Sequence, residues 1–169
     1  MTSSRYGQTR PQPPLRLAAD GLRVPTSRMN AQRVEIRFTG SHKGFAHAFT
    51  RLRRALDRQA LSATTRYNAE LVFEEIVANI VGHGARNGRE PDVRVTLEAR
   101  PDSIELIFDD DGVPFDPRGL PDPVKAKSLE EAKVGGFGLM LVRHAASSLE
   151  YLRTAGDRNQ LTVRVPRRP

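Results

Sequence analysis

Three short stretches of this chain carry residue types that can do chemistry together. The first is Glu75 and Asn79, four positions apart, with His83 four further on. On a helix that spacing stacks the side chains along one face, a turn apart. Burying a carboxylate without a partner is costly, so an acid on an otherwise apolar helix points to a cleft or a cation beside that face. Glu and Asn oxygens suit magnesium, a hard ion that keeps several waters and borrows phosphate oxygens. The plainer alternative is that Glu74 and Glu75 mark the solvated side of the helix.

The second stretch is Asp109-Asp110-Asp111-Gly112-Val113-Pro114-Phe115, where three acids close an apolar strand. A carboxylate at a strand end can accept a hydrogen bond from an adenine amino group, and glycine lets a base approach the backbone. Asp-Gly is also an ordinary turn with solvated acids. The third is Gly135-Gly136-Phe137-Gly138-Leu139-Met140-Leu141-Val142. Here a glycine-rich loop opens onto an apolar helix, whose free N–H groups and dipole favour phosphate. No Gly-Lys-Ser/Thr follows, and no strand precedes a GxGxxG, so neither a Walker A loop nor a Rossmann fingerprint is present. A flexible linker would give the same composition.

The elements that must position these residues are legible from periodicity. Val34, Ile36 and Phe38 alternate with polar residues as in a strand that Gly40 and Ser41 break. Phe45, Phe49, Leu52 and Leu56 form one face of a helix running to about Leu61. Arg51, Arg53, Arg54 and Arg58 fall on its other faces, as a solvated surface or a dock for an acidic partner. Ser62 or Thr64 caps a second helix from Arg66 to about Gly82. It is apolar around most of its girth, hence largely buried. Gly82 and Gly84 are expected to end it in the left-handed conformation. Val93–Ala99 and Ile104–Phe108 form a hairpin around Arg100-Pro101-Asp102-Ser103. A proline- and charge-rich loop spans 116–134, and a helix starts near Gly138 with Leu139, Val142, Ala146 and Leu149 inward. Strands are expected around Leu149–Thr154 and Leu161–Val165. This order implies an α+β two-layer sandwich, helices on one face of a mostly antiparallel sheet.

Composition narrows the function classes. The 169 residues contain no cysteine, which excludes disulfides, thiolate zinc sites and cysteine nucleophiles. No apolar run approaches membrane-helix length, and no signal-peptide core is seen, so a cytoplasmic protein is expected. The net charge is +7, but residues 1–30 hold five arginines against Asp20, leaving 22 basic and 19 acidic side chains elsewhere. A nearly balanced body with no aromatic–basic interleaving does not suggest nucleic-acid binding. Residues 1–30, with four prolines and no periodicity, read as a disordered basic leader, and 31–169 as a single domain.

Taken together and in this order, the three stretches resemble the GHKL ATP-binding superfamily. The N box resembles Glu75-Ile-Val-Ala-Asn79, the first glycine box Asp110-Asp-Gly112-Val-Pro114, and the second Gly135-Gly-Phe-Gly138-Leu-Met-Leu-Val142. Asn79-Ile-Val-Gly-His83-Gly84 and Asp111–Pro117 are similar to the bacterial anti-sigma-factor serine/threonine kinases within it. The resemblance covers residues 31–166. Pro114 stands where the superfamily usually has a second glycine.

The resemblance implies the Bergerat fold, with a mostly antiparallel mixed sheet. It implies ATP and Mg2+ as cofactors, with Asn79 holding the metal and Glu75 as general base toward a serine or threonine hydroxyl. Asp110 would bond the adenine amino group, with Gly112 beside the base. Gly135, Gly136, Phe137, Gly138 and Leu139 would line the phosphates, with 116–134 as a lid and His83 either near the terminal phosphate or a structural histidine at the helix end. The implied partners are a sigma factor and a STAS-type anti-anti-sigma protein, and the implied state is a homodimer. The alternative is a non-catalytic nucleotide-dependent binding module of the same fold. A histidine-kinase catalytic half would need an upstream phosphoacceptor helix, and His42 and His47 lack that context.

Overall fold

Polar caps and apolar periods set the elements. In the computed structural model, which describes residues 33–119 and 137–167, strand β1 is Arg33–Thr39. Ser41 stops it and caps helix α1, His42–Asp57, its hydroxyl accepting from the Gly44 N–H at 3.1 Å. The helix ends at Asp57 rather than near Leu61. Arg58 closes the last turn and the Gln59 N–H bonds the Leu56 carbonyl, so Leu61 packs on the core from the connecting loop. Of the two candidate caps for α2, Ala63–His83, Ser62 serves, accepting from the Thr65 N–H at 3.2 Å. The helix therefore begins three residues before Arg66.

The C-terminus of α2 departs from the sequence expectation. Gly84 has φ −78°, and among the described residues the only glycine with positive φ is Gly88. Glycine is needed at 84 for closeness instead of handedness, because a Cβ there would overlap the Ile80 carbonyl oxygen.

Strands β2 (Asp92–Ala99) and β3 (Ser103–Asp110) form the expected hairpin, closed by the Arg100 N–H on the Ser103 carbonyl. Helix α3 is Phe137–Ala145, followed by β4 (Ser148–Arg153) and β5 (Asn159–Pro166). Leu149, read as the last inward position of α3, belongs to β4. The Ser147 N–H bonds the Arg164 carbonyl, which starts the β4–β5 ladder. The sheet order is β1-β2-β3-β5-β4, and each pairing among the described residues is antiparallel, with no parallel pair.

Strand alternation gives the sheet two different faces. Ile36, Val95, Leu97, Leu106, Phe108, Leu161 and Val163 meet the helices and are buried. Phe73 of α2 packs on Phe108 of β3 at 6.2 Å between ring centroids, and on Phe49 of α1 at 5.9 Å. On the other face Glu105 accepts from Arg100 and Arg164, each at 2.7 Å. Burial pushes its pKa up, but these two guanidiniums outweigh that and hold it below the ordinary range. No described helix is long and apolar enough to cross a membrane.

Candidate functional site

Helix α2 lies across the centre of the sheet, and its C-terminal half forms one wall of a pocket. Ile76, Asn79, Ile80 and His83 supply that wall. Phe108 and Leu161 form an apolar floor on β3 and β5, with Asp110, Tyr151 and Asn159 among them. Val113, Phe115 and Pro117 close the side. The mix is a mostly apolar lining with a few convergent polar groups, which suits an aromatic heterocycle bearing hydrogen-bonding edges.

Alternation along β3 decides which of the three acids enters it. Asp110 continues the inward series of Leu106 and Phe108, whereas Asp109 points to the opposite face. There Asp109 meets Arg94 at 3.3 Å and also pairs with Arg158. Asp111 does not line the pocket and is bonded by Arg89 at 2.8 Å and by the Asp92 N–H at 2.8 Å. So Asp110 alone of the triplet lines the pocket without an arginine bonded to it.

Asp110 is nevertheless held firmly. Its Oδ1 accepts from the Gly112 N–H at 2.9 Å and from Asn159 Nδ2 at 2.9 Å. Both bonds fall on one oxygen, so among the described residues Oδ2 is left to accept from a ligand. Burial pushes the Asp110 pKa above the usual carboxylate value, against the pull of these two hydrogen bonds and of Arg158 and Arg153. A donor arriving at Oδ2 favours the ionised form that burial penalises.

Asn159 is the residue that sequence reasoning missed. Its Nδ2 also donates to the Val113 carbonyl at 2.9 Å, while its Oδ1 accepts from Tyr151 at 2.8 Å and Arg153 at 2.7 Å. One buried amide thereby ties together β3, β4, β5 and the loop after β3. Its only sequence signal is its position at the start of a strand, which carries no chemistry until the pairing Asp110↔Asn159 is known.

Gly112 has a structural duty beside any contact with a base. A Cβ there would stand 2.6 Å from the Gly84 carbonyl oxygen and 2.8 Å from Asp110 Oδ1. The Val113 N–H donates to the same Gly84 carbonyl at 3.2 Å, so the loop after β3 is stitched to the end of α2.

At the other end of the pocket the polar groups are loosely held. Asn79 lines the wall and His83 is exposed at the last turn of α2. Glu75, one turn before Asn79, is half-buried and lies off the pocket lining, its carboxylate against Gly138 at the start of α3. Glu74 is exposed, so of the two adjacent acids only Glu75 faces α3. Phe137 is exposed and Leu139 is buried in the core. Gly135, Gly136, most of the expected lid and the leader at 1–30 lie outside the described residues. No group of three or more His, Asp or Glu side chains that could hold a metal occurs among the described residues. The donors on offer to a cation here are amide and carboxylate oxygens, which fit Mg2+ bound mainly through a ligand's phosphates.

The family model for the histidine kinase-like ATPase domain matches residues 41–165. The chain belongs to that family. The matched stretch runs from the cap of α1 to the penultimate residue of β5, so the histidine kinase-like ATPase domain comprises the α2 wall and every residue that lines the pocket. ATP is thus the ligand class of this domain. The serine/threonine-protein kinase BtrW of Bordetella bronchiseptica is 35% identical to the chain over 106 residues, which are 63% of this chain and 74% of the relative.

Proposed function

We propose that the chain is an ATP-dependent protein serine/threonine kinase and anti-sigma factor, which phosphorylates a STAS-type anti-anti-sigma antagonist. The observation that carries the kinase reading is the juxtaposition of a half-buried Glu75 carboxylate, packed against the start of α3, with the Asp110–Asn79 pocket one helical turn away. A relative named as a serine/threonine kinase supports it.

In this reading Asp110 Oδ2 accepts from the adenine amino group, while Phe108 and Leu161 contact the ring. Asn79 would hold Mg2+, which would supply charge neutralisation of the triphosphate. Phosphoryl transfer needs positioning and charge stabilisation more than covalent help. Glu75 takes the proton from the acceptor hydroxyl as its oxygen bonds the γ-phosphorus, and the bond to the β–γ bridging oxygen breaks to release ADP. A carboxylate base contributes about 10²–10⁴-fold when it reaches the hydroxyl. The partners in this reading are a sigma factor and the unphosphorylated antagonist, with nucleotide state biasing the choice between them, and the chain acts as a homodimer.

The test is transfer of radiolabelled γ-phosphate from ATP to STAS-type proteins of the same genome. Labelling of a serine or threonine that is lost in Glu75→Gln, with ADP binding kept, supports the kinase. No labelling of any of them by folded, nucleotide-binding protein replaces it with a non-catalytic binding module.

A further inference from the structure

A glycine in a phosphate-binding loop is ordinarily explained by its backbone, either by a left-handed φ or by room for the ligand. The first does not account for Gly138. It lies inside α3, and among the described residues only Gly88 is a glycine with positive φ. Its N–H, the group that would face a phosphate, is one that alanine also has.

What alanine would take away is space. A Cβ built on Gly138 overlaps the Glu75 carboxylate oxygen and stands 2.9 Å from its Cδ and 3.5 Å from its Cγ. Leu139 and Val142 of α3, and Val72 and Ile76 of α2, are buried, so the two helices cannot separate cheaply to admit a methyl group. The Glu75 carboxylate is the far end of a flexible side chain and has no hydrogen bond or ion pair among the described residues. It yields before the helices do.

We propose that Gly138 is a positioning residue for phosphoryl transfer, the missing side chain at 138 fixing where the Glu75 carboxylate rests. This rests on the kinase reading above. Gly138 touches no reacting atom in this role; it acts through Glu75.

The role separates from phosphate binding in a four-way comparison of wild type, Gly138→Ala, Glu75→Asp and the double variant. The protein is the full chain, and the acceptor is the STAS-type protein that the wild type labels. Gly138→Ala should melt no lower than wild type, since alanine is the better helix former. It should bind ADP within about threefold of wild type by calorimetry and transfer phosphate at least about tenfold more slowly. Glu75→Asp, one methylene shorter, withdraws the carboxylate from the new Cβ. The double variant should therefore be faster than Gly138→Ala alone, a reversal that independent losses do not produce. Wild-type turnover in Gly138→Ala overturns the proposal. So does an ADP affinity that falls in step with the rate, or a double variant slower than both singles. A wild type that labels no acceptor overturns the kinase reading itself, and the positioning role with it.

Discussion

The two ends of the pocket are built on opposite plans. At the end that the proposed reading gives to the base, Asp110 is fixed by the Gly112 N–H and by Asn159, which is itself held by Tyr151 and Arg153, so four chain segments share one buried network. At the end that the proposed reading gives to the phosphates, Asn79 and His83 line the pocket and Glu75 lies just off it, and none of the three has a hydrogen bond or ion pair among the described residues. A buried polar network is stiff when every member is satisfied, and each member is costly to remove. Side chains with no partner wait for a ligand to supply one. The base end is therefore a preformed socket whose changes should register in stability and affinity together. At the phosphate end Glu75, which lies off the pocket lining, should register in turnover alone.

The sharpest separation is expected at Glu75. Glu75→Gln keeps shape and hydrogen-bonding capacity and removes the proton acceptor. Phosphotransfer should fall by about 10²–10⁴-fold, while the ADP dissociation constant and the melting temperature stay within error. A large loss of nucleotide affinity would place Glu75 in the socket and break the comparison.

Next in size is the base end. In Asp110→Asn the Oδ1 acceptor survives, but an amide N–H₂ replaces Oδ2 and opposes an adenine amino donor. A hydrogen bond to a charged group contributes about 1.5–3 kcal/mol, so ATP affinity should drop by roughly 10- to 100-fold in calorimetry. Asn159→Ala leaves Asp110, Tyr151 and the Val113 carbonyl short of partners. It should cost about 1–3 kcal/mol in denaturant unfolding and weaken nucleotide binding as well.

These residues were unequally legible. Glu75, Asn79 and Asp110 announce themselves because an acid or amide on an apolar element is anomalous in one dimension. Asn159 does not, since its partners arrive from 49 residues upstream and 8 back along the hairpin. The element order and the β2–β3 turn followed from alternation and turn chemistry, which are local. The end of α1 and the fate of Leu149 did not, because a helical apolar period continues unbroken into residues that the core takes up from a loop or a strand. The left-handed ending expected of Gly84 failed for a related reason. Its glycine answers to crowding by the Ile80 carbonyl, with Pro91 close behind, a tightness of the last turn that residue type alone does not encode.

Acidity should expose the same asymmetry in smaller measure. Asp110 has its pKa raised by burial, so its folded-state value lies above the unfolded one. Its contribution to stability is then fully present below the unfolded value and is lost as pH rises through the folded value. In the proposed reading nucleotide binding runs the other way, because there the ionised carboxylate is the acceptor. As pH is lowered through that raised value, ADP affinity should decline while the Asp110 term in stability improves. In Asp110→Asn both trends should disappear. The comparison breaks if the acid loss of affinity persists in Asp110→Asn.

The smallest effect is expected one residue away. Asp109 differs from Asp110 only in the direction β3 gives it, toward Arg94 and Arg158 on the sheet's far face. Asp109→Asn keeps the side chain's size and an oxygen acceptor at a buried position, and removes the charge facing two guanidiniums that are themselves partly exposed and so still reached by solvent. Unfolding free energy should fall by about 1 kcal/mol or less, with the difference shrinking at high salt. The ADP dissociation constant should move by no more than about twofold, against the roughly 10- to 100-fold of its neighbour. Equal losses at 109 and 110 would mean that strand alternation does not decide which carboxylate meets the base, and the socket would have to be rebuilt around the acidic turn as a whole.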